Sequence, residues 1–236
     1  INMKKTNKKI LALVPIKEHS SRIPGKNLKD LAGKPMMAYI LETLKKIKRL
    51  DRMVVSTESD KVAAIAKKYG ADVPFKRPSS LTLPDVITHD VVKHAMAELE
   101  KQGYVPDYLL LVYTTSPLLK AERIEQAIDI ALDRDSDTVL SGTYDKGHYW
   151  REEIGGWVRF YPITAKNSQF QEPLVKENGA ICLVKVSSFL KRQLGADKAD
   201  VLIMEKDENI DVDYPEDFAA VEAILLEKNK KNKKNG

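Results

Sequence analysis

Two of the chain's apolar runs carry no polar interruption at all. Leu11-Ala12-Leu13-Val14 and Tyr108-Leu109-Leu110-Leu111-Val112-Tyr113 are continuous rather than alternating. A strand with one wet face alternates with period two, so an unbroken run suits a strand covered on both faces. Further runs of this kind alternate with helix-period segments. The pattern predicts an α/β fold with a mostly parallel central sheet. Strands are expected over 10–15, 52–56, 72–75, 108–113, 138–144, 179–184 and 201–204. Helices are expected over 35–46, 60–69, 88–102, 121–133 and 215–228, with Gly70 a stop signal after the second.

A chain of 236 residues suits one large domain, here 10–227, with a flexible N-terminus over 1–9. No apolar run approaches the ~20 residues of a membrane span. The first residues carry lysines but no apolar core before a cleavage site, so no secretory signal is expected, and Met3 reads as the natural start. The single Cys182 excludes an internal disulfide and fits a reducing, cytoplasmic setting. Net charge is +5, yet five lysines sit in the last nine residues, KNKKNKKNG, so the remainder is nearly neutral. Residues 228–236 read as a disordered solubilising tail. A nucleic-acid arm would interleave aromatics with its lysines, and none occur there. Neither a nucleic-acid nor a membrane partner is expected.

Residues 144–175 break the rhythm of strands and helices. They hold both tryptophans, Trp150 and Trp157, with Tyr149, Phe160, Tyr161 and several glycines. Such an excursion suits a lid, or an arm that packs on a second subunit, since interfaces favour Trp and Tyr.

The first strand runs into a loop, IKEHSSRIPGKN, that holds Lys17, Ser20, Arg22, Lys26 and Asn27. In open α/β sheets, ligands sit outside the carboxyl ends of strands. Three cations and small polar residues at that edge are suited to phosphate groups. Neither G-x-x-x-x-G-K-[ST] nor G-x-G-x-x-G is present, so side-chain cations must do as much as glycines. The competing reading is a solvated loop whose Pro24-Gly25 is a plain turn.

Asn209-Ile210-Asp211-Val212-Asp213-Tyr214-Pro215 is the second candidate. In extended chain, Ile210 and Val212 face one way while Asp211 and Asp213 project together. Paired carboxylates repel unless a cation lies between them, and hard oxygen ligands beside a phosphate suit Mg²⁺. Alternatively, Asp213 merely serves the N-terminus of the helix that Pro215 opens. Arg77 with Asp85, Thr88, His89 and Asp90 forms a third cluster, in which Thr88 is a candidate N-cap as well as a candidate ligand. The turn Tyr113-Thr114-Thr115-Ser116-Pro117-Leu118 follows the most apolar strand and is placed to be a site wall, or an ordinary strand-to-helix turn. The four histidines lack metal-ligand spacing, and His94 reads as structural.

Taken together, VPIKEHSSRIPGKNLKDLAGKPM, VVSTESDKVAAIAKKYGADVPFKRPSSL, TSPL, ENGAICLV and NIDVDYPEDF resemble the acylneuraminate cytidylyltransferases. These are the CMP-sialic acid synthetases, related to the enzymes that activate 3-deoxy-manno-octulosonate. The order and spacing agree over about 10–227. The resemblance implies a Rossmann-like nucleotidyltransferase fold, CTP, Mg²⁺, a 2-keto-3-deoxy sugar acid, and a homodimer built through the aromatic arm. It implies that Lys17, Ser20, Arg22, Lys26 and Asn27 form the phosphate- and base-binding loop. Arg77 and Thr88 fall where the family contacts cytosine, and Asp211 and Asp213 fall on the metal carboxylates. Tyr113, Thr115, Ser116 and Gln171 fall on the sugar side.

Two departures stand out. Lys17 replaces the usual loop arginine, and Tyr113 and Leu119 replace a glutamine before TSPL and an arginine after it. The expected chemistry is transfer of CMP to the sugar's anomeric hydroxyl with loss of pyrophosphate. Lys17, Arg22, Lys26 and Asp211 carry the electrostatic work. A nucleotidyltransferase for another sugar or nucleotide, or a non-catalytic nucleotide-binding homologue, are the alternatives.

Overall fold

The computed structural model describes residues 8–159, 172–192, 198–206, 208 and 210–234. In chain order the elements are β1 (Ile10–Pro15), β2 (Asp30–Leu31), β3 (Lys34–Pro35), α1 (Met36–Lys45), β4 (Arg52–Ser56), α2 (Asp60–Lys68), α3 (Thr88–Glu100) and β5 (Tyr108–Leu111). They continue with α4 (Ala121–Arg134), β6 (Thr138–Asp145), β7 (Trp150–Glu153), β8 (Gly156–Arg159), β9 (Leu174–Lys185), α5 (Val186–Arg192), β10 (Ala199–Ile203) and α6 (Pro215–Lys234).

Six strands form the central sheet in the order β10-β6-β9-β5-β1-β4. β1 pairs in parallel with β4 and β5, and β10 in parallel with β6. β9 alone runs against its neighbours β5 and β6. The mostly parallel sheet read from the unbroken runs is therefore present.

The alternation along β1 explains why no residue of that run is polar. Ile10, Ala12 and Val14 enter one core cluster with Ile40 and Leu41 of α1 and Ile124 and Ile128 of α4. Leu11 and Leu13 enter another with Val92 and Met96 of α3 and Phe189 of α5. Both faces exclude water, so each residue of the strand contributes apolar burial. A third cluster lies at one end, where Phe218, Val221 and Leu225 of α6 cover Ile23, Leu31, Met36, Leu118 and Val212. This last cluster seats the cation-rich loop and the aspartate segment on a common floor.

Some expected elements differ. Residues 72–75 do not form a strand: Asp72 makes one parallel bridge to Val54. Pro74 follows two residues later and has no N–H to continue a ladder. α5 was not legible, being seven residues with two serines, and it begins directly where β9 ends. α6 runs on to Lys234, so the Lys/Asn stretch over 228–234 continues a helix rather than forming the disordered tail its composition suggests. Segment 210–213 keeps the expected alternation, with Val212 buried, but is not a strand. Among the described residues no helix is long and apolar enough to cross a membrane.

Candidate nucleotide-binding site

The loop after β1 is held by bonds from outside itself. The Ile16 N–H donates to the Ser56 carbonyl at 2.9 Å, extending the β1–β4 pairing by one rung. Beyond it, Arg77 Nη2 donates to the Ile16 carbonyl at 3.0 Å, and the Glu18 N–H donates to Glu58 Oε1 at 2.9 Å. Between those two, the Lys17 carbonyl accepts from Asn27 Nδ2 at 2.7 Å, and Asn27 Oδ1 accepts from Thr114 Oγ1 at 2.6 Å. Lys17 Nζ reaches the Thr82 carbonyl at 3.5 Å. Gly25 then takes φ +63°, a left-handed conformation that suits glycine, and turns the chain into a short 3-10 segment, Lys26–Leu28. That turn carries the Lys26 side chain inward, leaving the residue only 7% exposed.

Lys26 and Arg22 both end on the aspartate segment. Lys26 Nζ donates to the Val212 carbonyl at 2.5 Å and lies 3.5 Å from Asp213 Oδ1. Arg22 Nη1 lies 2.5 Å from Asp213 Oδ2, with its guanidinium 5.3 Å from the Tyr214 ring centre. Both carboxylate oxygens of Asp213 thus face cations. The helix-terminus role considered for Asp213 belongs instead to Asp217, whose Oδ2 accepts the N–H groups of Asp213 (3.1 Å) and Tyr214 (2.8 Å). Asp211 stands differently. Burial raises its pKa, a hydrogen bond from Thr115 lowers it, and the nearby Asp213 charge raises it; the net direction is up. The Val212 N–H donates to the Thr115 carbonyl at 2.8 Å, which ties this segment to the turn after β5.

Two clefts meet along this segment. Lys17, Ser20, Arg22, Lys26, Asn27, Tyr113, Thr115 and Asp213 line one of about 240 Å³. Asp211 lines the other, of about 620 Å³, with Thr143, Asp145, Lys176, Glu177, Asn178, Gly179 and Lys206. Most of the expected loop residues therefore come together, and the two aspartates stand on the boundary between the clefts. Arg77 does not line either one. It is buried behind the loop at 4% exposure. Ser116 is also buried, inside the turn, with its carbonyl accepting from the Leu119 N–H at 3.2 Å. Leu119 points into the core and takes no part in the clefts. Thr88 is the first residue of α3 and not its N-cap; Ile87 occupies that position, and the Thr88 hydroxyl accepts from Tyr113 Oη at 3.3 Å. Burial pushes the Tyr113 phenol pKa up. Gln171 lies outside the described residues.

Three supporting residues were missed by reading the sequence. Glu58 lies inside the VVSTES run, where only the run as a whole was informative. Glu18 accepts from Ser59 Oγ. Asp217 stands three residues after Tyr214, a spacing that fits a helix-capping carboxylate and could have been read as one.

The chain matches the cytidylyltransferase family over residues 11–193. It belongs to that family. CMP-N,N'-diacetyllegionaminic acid synthase of Legionella pneumophila is 29% identical over 229 residues, covering 92% of this chain and 96% of that protein. Pseudaminic acid cytidylyltransferase of Campylobacter jejuni is 31% identical over 135 residues, 57% of this chain and 58% of that one. A solved structure of CMP:2-keto-3-deoxy-manno-octonic acid synthetase complexed with CTP superimposes with a TM-score of 0.69 at 14% identity, covering 93% of this chain and 99% of that one. At that identity the likeness speaks for the fold, which is the α/β nucleotidyltransferase fold expected. The chain is a nucleotidyltransferase.

Proposed function

We propose that this chain couples CTP to a 2-keto-3-deoxy sugar acid of the nonulosonate kind, giving the CMP-sugar acid and pyrophosphate. The observation that carries the reading is the convergence of Lys17, Arg22 and Lys26 with Asp213 in one cleft, at the carboxyl edge of β1, β4 and β5. Its support among relatives is a set of enzymes named for legionaminic and pseudaminic acids.

In this reaction the anomeric hydroxyl oxygen of the sugar bonds to the α-phosphorus. The bond from that phosphorus to the bridging oxygen breaks, pyrophosphate leaves, and the hydroxyl proton passes to solvent or a base. Such transfer needs positioning and charge neutralisation more than covalent catalysis. Lys17, Arg22 and Lys26 hold the triphosphate and offset the charge that grows on the departing pyrophosphate. Ser20 and Asn27 complete the loop, Thr88 belongs to the nucleotide side, and Arg77 supports that side from behind the loop. Tyr113, Thr115 and Gln171 belong to the sugar side, with the buried Ser116 supporting the turn from inside.

Asp211 and Asp213 are a fitting pair for Mg²⁺: hard oxygens, close enough for one charge to raise the other's pKa, one lining each of the two clefts. Bound there, Mg²⁺ would supply charge neutralisation at the α-phosphate. The protein is read as a cytoplasmic homodimer.

Pyrophosphate release from CTP, UTP, GTP and ATP with a panel of sugar acids tests the reading. CTP with a nonulosonate is expected to lead. Tyr113 offers one hydroxyl on a rigid ring where sialate enzymes have an amide, so N-acetylneuraminate is not expected to be the best substrate. Release from a purine nucleotide but not from CTP would overturn the proposal.

A further inference from the structure

The nucleotide loop is braced by a carboxylate that lies outside it. Glu58 follows β4 and uses both of its oxygens on the loop or its support. Oε1 accepts the Glu18 N–H at 2.9 Å, and Oε2 accepts Arg77 Nη2 at 2.7 Å. The same Nη2 donates to the Ile16 carbonyl at 3.0 Å, and the Arg77 N–H donates to the Thr57 carbonyl at 2.9 Å. A closed circuit thus runs from β4 through Glu58 and Arg77 to the loop backbone on either side of Lys17. Arg77 is almost wholly buried, so its charge needs a partner in place. Its Nε is buried with no hydrogen-bond partner among the described residues. A buried donor in that condition costs free energy unless something accepts from it.

We infer that Glu58 is a positioning residue for nucleotide binding: it fixes Arg77 and the 16–18 backbone together from behind the loop, so that Lys17 is pre-set for the nucleotide. The inference rests on the reading of this site as a CTP site. Burial pushes the Glu58 carboxyl up, but its bonds from Arg77 and from backbone N–H groups outweigh this and hold it below its usual range. Glu58 is therefore charged at neutral pH, as the circuit requires. A carboxylate holding an arginine and a loop amide in fixed geometry removes ordering cost from ligand binding.

Glu58→Gln tests this. The amide keeps an acceptor for the Glu18 N–H but cannot also accept from Arg77. CTP dissociation constants are measured calorimetrically without sugar acid, beside thermal melts and steady-state kinetics. The expected result is CTP affinity weakened about tenfold or more, with the KM for sugar acid changed less than about twofold. Adding Arg77→Lys to Glu58→Gln should weaken CTP binding little further than Arg77→Lys alone, since both act through one circuit. A folded Glu58→Gln with unchanged CTP affinity overturns the inference, as do fully additive losses in the double variant. A merely structural role would lower the melting temperature and raise both KM values together. Should Glu58→Gln fail to fold, Glu58→Asp, which keeps the charge and shortens its reach, is read in the same assays with the same criteria. Wild-type binding of CTP with an indifferent variant sinks this inference alone. Failure of the wild type to bind CTP sinks the function it rests on as well.

Discussion

The loop over 16–27 and the hairpin formed by β7 and β8 are both excursions from the same sheet, yet they are held in opposite ways. Consecutive backbone groups of the loop are satisfied by Arg77 and Glu58 from outside it and by Asn27 at its own far end. Of its two isoleucines, Ile16 enters the core beside β1 and Ile23 is buried under α6. Among the described residues the hairpin pairs only with itself, β7 against β8. Trp150 and Trp157 are 51% and 65% exposed, and Ile154 at its tip is fully exposed. Exposed Tyr144, Leu174 and Val175 on the outer ends of β6 and β9 continue that apolar surface. The loop is complete within one chain, with its charges placed for a ligand. The hairpin presents the kind of apolar, aromatic surface that associating proteins bury, in keeping with the proposed homodimer.

The comparison can be broken most sharply at the aspartates. Asp211→Asn should leave the melting temperature near wild type and lower kcat at least ~10²-fold, the scale of a lost focused electrostatic contribution. Near-normal turnover with Mg²⁺ would remove Asp211 from the chemistry. The hairpin comes next. The wild type should sediment as a dimer at micromolar concentration, and Trp150→Ala with Trp157→Ala should weaken that dimer about tenfold or more. A wild-type monomer whose tryptophans are both open to quencher would show that this surface serves something other than self-association.

Arg22 gives a smaller effect of defined sign. Its bond to Asp213 competes with any cation there, and an ion pair this exposed contributes little. Arg22→Gln should therefore tighten Mn²⁺ binding without nucleotide by about two- to fivefold, read by electron paramagnetic resonance, while weakening CTP. Looser Mn²⁺ binding would show that Arg22 does not guard the carboxylate.

The smallest effect concerns pH. Asp211 is raised above the usual aspartate value, so its charge is lost, as pH falls, sooner than that of an ordinary aspartate. The hydrogen bond from Thr115 opposes that rise, so Thr115→Val should move the acid limb of the kcat profile to higher pH. A shift the other way would mean that the limb belongs to another group.

How far such features could be read depended on their range along the chain. β1 matched its expected bounds because every one of its residues is apolar and both of its faces are covered. The spacing of Asp211 and Asp213 announced a paired carboxylate, since alternation survives in extended chain that is not a strand. Residues 72–75 misled because Val73 and Phe75 look like strand residues, while Pro74 and the sheet edge limit the pairing to a single bridge. Thr88 misled because a threonine before an apolar stripe fits an N-cap, and the helix begins one residue earlier than that reading needs.

The amino-acid sequence alone determined the central strands from β1 to β10 and the five longer helices, the parallel character of the sheet, and the chemical kinds gathered near Lys17 and Asp211. These follow from residue type and periodicity, which act over a few positions. Only the tertiary structure decided who meets whom. Lys26 reaches the Val212 carbonyl 186 residues away, and Arg77 reaches the Ile16 carbonyl across 61. It also decided that Leu119 belongs to the core. Each of those outcomes depends on packing between segments far apart in the chain, and such packing leaves no periodic trace in the sequence.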